Sequence, residues 1–201
     1  MSATSKHDPN FLPHDLPKPK DDGACNHLIG LTLPNIKLLA TNGMIINPSQ
    51  FTGTTVIYCY PRTGRPGQDP PGGNKFWDSI PGARGCTPES CHFRDSYAEY
   101  TALNITVFGL STQDTEYQQE AATRLHLPFS LLSDVHYEFT EKLNLPTFEV
   151  DIEENGQINS TRLIKRLTLI CVDNKIKHVF YPVFPPDTHA DEVLKWIKEN
   201  A

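Results

Sequence analysis

No apolar run in this 201-residue chain approaches the ~20 residues that cross a bilayer, so no membrane-spanning helix and no membrane partner are expected. The opening stretch MSATSKHDPNFLPHDLPKPKDDG lacks an apolar centre and lacks arginine. A secretory signal needs the first and a transit peptide the second, so the expected address is cytoplasmic. A basic face is missing as well: 18 Lys and Arg stand against 24 Asp and Glu, a formal charge of -6. Phosphate neutralisation supplies most of the affinity for nucleic acid, so no nucleic-acid partner is expected. Metal-ligand spacings are absent too. The eight histidines are scattered, and neither His-x-x-x-His nor Cys-x-x-Cys occurs. Zinc asks for four ligands in tetrahedral array, so neither a metal nor another cofactor is expected.

What the chain does have is five cysteines, at 25, 59, 86, 91 and 171. An odd number without an export signal argues against a structural disulfide framework. Cys59 and Cys171 sit in apolar stretches and read as small buried hydrophobes, whereas Cys25 reads as an exposed thiol. Only Cys86 and Cys91 lie close in sequence.

Residues 1–24 are rich in Pro, Lys and Asp without any period and read as a mobile arm, leaving 25–201 as one domain. Thr55–Tyr60 is β-rich and apolar throughout, as for a strand buried on both faces, and Pro61 ends it. The segment from Pro61 to Gly85 is dense in Pro and Gly and long for a connection, with Trp77 expected to pack it onto the body. A helix over 87–103 follows, with Thr87 at the N-cap, Pro88 at the first position and Glu89 complementing the dipole. Ile105–Leu110 reads as a strand, and Ser111–Asp114 offers caps for a helix through Leu125. A short strand at Phe129–Leu132 and a short helix at Val135–Leu143 come next. Asn155-Gly156 and Asp173-Asn174 are hairpin signals flanking β-rich stretches at Leu163–Val172 and Ile176–Tyr181. His189–Glu199 closes the chain as a helix burying Val193, Trp196 and Ile197. Alternating strands and helices, then a hairpin and a helix, predict an α/β thioredoxin-like sandwich, a mixed central sheet flanked by helices.

The segment Arg84-Gly85-Cys86-Thr87-Pro88-Glu89-Ser90-Cys91 carries the chemistry. A helix N-terminus and a neighbouring guanidinium both favour an anion, so the Cys86 thiol pKa is expected to fall. Such a thiol is primed for peroxide, disulfide or metal chemistry. Residues five apart in a helix have Cα atoms roughly 8–9 Å apart, more than the ~7 Å limit of a disulfide. The two sulfurs can join only if one to two turns unwind. A helix end is the least protected part of an element, which limits the expected cost.

The string GCTPESCHFRDSY resembles the active-site helix of peroxiredoxins of the Q type, also called bacterioferritin-comigratory proteins. Further matches follow in family order: Leu28-Ile29-Gly30-Leu31 with Leu33-Pro34, Tyr60-Pro61, Gly109-Leu110-Ser111 and Leu131-Leu132-Ser133-Asp134. Arg166-Leu167-Thr168-Leu169 resembles the strand that supplies the family's catalytic arginine. The resemblance implies a thiol peroxidase in which Cys86 attacks the peroxide and becomes a sulfenic acid, and Cys91 then condenses with it to a disulfide. Arg166 would hold the thiolate and polarise the peroxide. It implies hydrogen peroxide or an alkyl hydroperoxide as substrate and thioredoxin or glutaredoxin as reductant. A monomer or weak homodimer is expected.

The sequence departs from the family in one place. The family's Thr three positions before the peroxidatic cysteine is Ala83 here, and about eighteen extra residues follow Pro61. The string IPGARGCTP resembles a subgroup carrying that insertion, and Thr63 folded back is one candidate for the missing hydroxyl. Arg62, Arg65 and Arg84 either attract an anionic peroxide or partner, or solubilise the loop. Two rival functions use the same cysteines: a dithiol–disulfide oxidoreductase, disfavoured by the five-residue spacing, and a peroxide-responsive redox sensor or binding module.

Overall fold

A computed structural model describes residues 8–154 and 157–200. In chain order the elements are β1 Leu38–Ala40, β2 Ile45–Ile46, β3 Thr54–Cys59, α1 Gly73–Ser79, α2 Cys86–Asp95, α3 Tyr97–Ala102, β4 Thr106–Ser111, α4 Thr115–Arg124, β5 Leu131–Ser133, α5 Glu138–Lys142, β6 Thr147–Glu154, β7 Gln157–Ile164, β8 Leu167–Val172, β9 Lys175–Phe180 and α6 His189–Asn200. Seven strands form one mixed sheet, ordered β2-β1-β5-β4-β3-β8-β9, and β6-β7 form a separate ribbon. In the centre, β3 runs parallel to β4, with Ile57 opposite Phe108, and antiparallel to β8, with Ile57 opposite Leu169.

Strand period divides the core into two layers. Ile57 and Cys59 of β3 face Leu110, Leu132, Phe139 and Leu169. Val56, Tyr58 and Tyr60 face the opposite way, onto Phe93, Tyr100, Val193 and Ile197 of the helices. Both layers are apolar because both faces of the sheet are covered, which is why β3 reads as a continuous apolar run. The mixed sheet flanked by helices is the expected sandwich.

Several elements differ from the sequence reading. The 87–103 helix is two helices, α2 and α3, meeting at Ser96, whose hydroxyl turns to Asp191 at 3.4 Å. The α2 N-cap is Gly85 rather than Thr87, and Cys86 is the first helical residue. The stretch 163–172 is interrupted at Lys165–Arg166, between β7 and β8. Trp196 is only half-buried, stacked on His178 at 4.4 Å. The long loop contains α1, and its Trp77 packs against Val150, Leu163 and Phe148. The Asn155-Gly156 turn lies outside the described residues, while the strands on either side pair from Glu154 and Gln157 outward. Asp173 and Asn174 carry φ of 46° and 58°, the left-handed values that a two-residue hairpin needs.

Cys25 is a correction. It is buried in the core beside Leu28 and Leu33, and burial pushes its thiol up to about 12. Cys59 and Cys171 are buried as expected. Residues 8–22 lie along the body: Asp22 accepts from Lys165 at 2.9 Å and from the Tyr181 hydroxyl at 2.8 Å.

Candidate active site

The site forms where α2 begins at the carboxyl end of β3. Gly85 holds φ at 104°, and a Cβ there would lie 2.4 Å from Pro186 and 3.0 Å from Leu12. Both the conformation and the space require glycine, and the tight turn drops Cys86 into the interior, only 3% exposed. The Cys86 S–H donates to the Ala83 carbonyl at 3.6 Å, and Arg166 Nη2 approaches the sulfur to 3.1 Å. The backbone N–H of Arg62 also donates to it.

Arg166 sits at the break between β7 and β8, 3% exposed rather than on a half-exposed strand edge. It donates to the carbonyls of Gly82, Ala83 and Arg84 at 3.2–3.3 Å, which fixes the three residues leading into the turn before Cys86. Its other Nη bonds Glu89, which is fully buried one turn into α2. Glu89 was missed as a site residue. The signal was available: it stands four before Phe93, so it shares that residue's inward face.

The electrostatics overturn one expectation. Burial pushes the Cys86 thiol up, Arg166 pulls it down, and the Glu89 carboxylate pushes it up again. The net direction is upward, because desolvation and the Glu89 carboxylate outweigh what Arg166 gives the anion. Burial also raises Glu89 itself. Cys91 lies on the outer face of α2, half-buried, and is likewise raised mainly by burial. All five cysteines are free thiols.

A cleft of about 50 Å³ opens over Cys86. Thr63 and Thr87 line it, Ala83 contributes no hydroxyl, and both threonines are buried. Thr63 donates to Gln113 Oε1 at 3.1 Å, whereas the buried Thr87 hydroxyl has no partner among the described residues. The rim carries Arg62 and Arg65, both stacked over the Tyr117 ring at 4.8 and 4.2 Å. Arg84 also lines the cleft and pairs with Asp78 at 3.3 Å. Among the described residues no group of three His, Cys, Asp or Glu could hold a metal ion, and no helix is long and apolar enough to cross a membrane.

The start of α2 is not a frayed end. Cys86, Thr87, Glu89 and Ser90 are all buried, Ser90 accepts from the Tyr58 hydroxyl at 3.1 Å, and Phe93 stacks on Tyr58 at 4.5 Å. Unwinding here must break these contacts, so it costs more than terminal position alone suggests.

A buried thiol at a helix start, in contact with a guanidinium beneath a narrow cleft, defines a thiol-redox site. The Redoxin family profile matches residues 29–194. Peroxiredoxin Bcp of Escherichia coli K12 is 31% identical over 170 residues, covering 84% of this chain and 94% of that protein. Chloroplastic peroxiredoxin Q of Sedum lineare is 26% identical, covering 84% of this chain and 77% of that protein. Among solved structures, Peroxidoxin BcpB of Mycobacterium tuberculosis shares the fold with a TM-score of 0.62 at 24% identity, over 86% of this chain and 97% of that one. The chain therefore belongs to the Redoxin family, among peroxiredoxins of the Bcp and Q type, which makes it a thiol peroxidase by class.

Proposed function

We propose that the chain reduces hydrogen peroxide and organic hydroperoxides through a Cys86 sulfenic acid and a Cys86–Cys91 disulfide, in the cytoplasm. In the first step the Cys86 thiolate attacks the terminal peroxide oxygen and an S–O bond forms as the O–O bond breaks. The departing oxygen leaves with the electron pair and takes up a proton, giving water or an alcohol. Sulfur is oxidised to sulfenic acid by two electrons, and the peroxide is reduced by two. In the second step Cys91 displaces the sulfenic hydroxyl as water and forms the disulfide. A dithiol reductant of the thioredoxin or glutaredoxin type then restores both thiols by two exchanges.

The observation that carries this reading is the 3.1 Å contact of Arg166 Nη2 with Cys86 Sγ inside a buried cleft. A fixed cation there stabilises the thiolate and the charge that develops on the breaking O–O bond, without reorganising at the moment of reaction. Arg166 is aimed by its bonds to Glu89 and three loop carbonyls, so Glu89 is a positioning residue. Thr87 lines the cleft with a buried hydroxyl that has no partner among the described residues, so we assign it to hydrogen-bond the peroxide, since leaving such a group unpaired costs about 1–3 kcal/mol.

Steady-state peroxide consumption with hydrogen peroxide and an organic hydroperoxide, recycled by thioredoxin or by glutaredoxin, tests the proposal. Multiple turnovers with either reductant are expected. A single oxidation without turnover under both reductants would favour the redox-sensor reading instead.

A further inference from the structure

The described part of the N-terminal arm begins with Asp8-Pro9-Asn10-Phe11, a sequence built to turn. Asp at the first position and Pro at the second favour a type I turn. The turn forms: Phe11 N–H donates to the Asp8 carbonyl at 3.3 Å, and the Asp8 carboxylate accepts from the Asn10 N–H at 2.9 Å. Its two end carbonyls converge on one guanidinium. Arg84 Nη2 donates to the Asp8 carbonyl at 2.8 Å and to the Phe11 carbonyl at 3.0 Å. Arg84 is only 7% exposed and stands two residues before Cys86. Charge-assisted bonds to a buried guanidinium are among the stronger hydrogen bonds a surface segment can make.

The clasp has a consequence for the cleft. Pro9, the corner of the turn, is buried and lines the same cleft as Cys86. Leu12 then lies against Gly85, beside Pro186. A segment that precedes the domain in sequence thus forms one side of the site, beside a cleft of about 50 Å³. Hydrogen peroxide is on the scale of this space, whereas the organic group of a bulky hydroperoxide must extend along the walls of the cleft, Pro9 among them.

We propose that the Asp8–Leu12 turn, held on Arg84, is a size-selecting wall of the Cys86 site that favours hydrogen peroxide over bulky organic hydroperoxides. The proposal rests on the peroxidase reading for its substrate and on geometry alone for the wall. Pro9 acts through the volume it fills, and Leu12 through seating the turn.

Two full-length variants test it: Pro9→Gly removes the ring from the wall and keeps the turn carbonyls, and Leu12→Asp unseats the turn. Both positions lie outside the sheet and its two apolar layers. The readout is the ratio of kcat/KM for cumene hydroperoxide to that for hydrogen peroxide. It is expected to rise about tenfold, the scale on which a pocket discriminates a small apolar group. The hydrogen peroxide value is read in the same assay, so that any change in Cys86 reactivity common to both peroxides cancels in the ratio. A second readout needs no peroxidase activity: mass-mapped alkylation of Cys86 by N-phenylmaleimide relative to iodoacetamide should rise in both variants. A rise in that ratio supports the wall even if the native chain consumes no peroxide, an outcome that would defeat only the peroxidase reading. If both ratios stay at their native values in both variants, the arm does not wall the site.

Discussion

The two faces of α2 are built differently. Its inner face holds Cys86, Thr87, Glu89, Ser90 and Phe93, all buried, while Cys91 and Arg94 on the outer face are half-buried and Asp95 is exposed. Five residues of helix turn through 500°, so the two thiols point roughly 140° apart as well as lying roughly 8–9 Å apart at Cα. The inner face is arranged to activate a sulfur, and activation needs a dry, fixed setting. The outer face offers the second sulfur, and access to it needs motion. The helix cannot satisfy both demands in one conformation. The peroxidase reading therefore requires α2 to trade the first setting for the second, against the Arg166–Glu89 pair and the Tyr58–Ser90 bond.

The sharpest break of this comparison exchanges one sulfur at a time. Cys86→Ser is expected to abolish peroxide consumption. Cys91→Ser is expected to retain one stoichiometric round and lose turnover. Normal turnover in Cys86→Ser, followed by peroxide disappearance, would remove the inner face from the chemistry.

Next in size is the cation. Arg166→Ala is expected to slow Cys86 oxidation by about 10²–10³-fold, the scale for losing one preorganised donor to developing charge. It should also raise the Cys86 pKa, since Arg166 is the chief group pulling it down. The variant is also expected to lose stability. Removing Arg166 strands a buried Glu89 carboxylate, which costs about 3–5 kcal/mol. Urea unfolding should show that loss, and the double variant Arg166→Met with Glu89→Gln should recover stability without recovering rate. A single variant of native stability and native thiolate titration would contradict this account of the pair.

Charge on the inner face also sets the pH profile. Burial raises the Cys86 pKa and the thiolate is the reactive form, so the rate of oxidation should climb as pH rises through neutrality. Glu89→Gln removes a group that pushes the thiol up, so its profile should shift to lower pH. A shift to higher pH would mean that aiming Arg166 matters more than Glu89's own charge. The smallest effect is expected at Thr87→Val, whose methyl replaces an unpartnered hydroxyl. Stability should hold or rise by up to about 1 kcal/mol, while peroxide reactivity falls several-fold and iodoacetamide reactivity does not change.

These regions also differ in how legible they were. The continuous apolar run Thr55–Tyr60 and the capping residues before Thr115 placed the central strand and α4 directly, because local pattern and tertiary burial agree there. Cys86, Cys91 and Arg166 were readable as a string resembling a family, and the structure brings Cys86 and Arg166 into contact. Glu89 was assigned only to the helix dipole, since a first-turn carboxylate normally faces solvent and its burial depends on an arginine 77 residues away. The downward pKa expectation failed for the same reason: local sequence shows the helix start but not the desolvation. Cys25 looked exposed beside a polar arm, yet Leu28 and Leu33 carry it into the core. The part played by Pro9 was invisible, because contact between residue 9 and the Cys86 cleft exists only once Arg84 has drawn the turn in.

The central claim, that α2 exchanges its inner setting for a Cys86–Cys91 bridge, is tested most directly by hydrogen exchange with disulfide mapping on reduced and peroxide-oxidised protein. The account predicts a mapped Cys86–Cys91 bond in the oxidised form, with amides of residues 87–92 strongly protected when reduced and fast-exchanging when oxidised. Equal protection of that segment in both states, or a bridge from Cys86 to any cysteine other than Cys91, would contradict it.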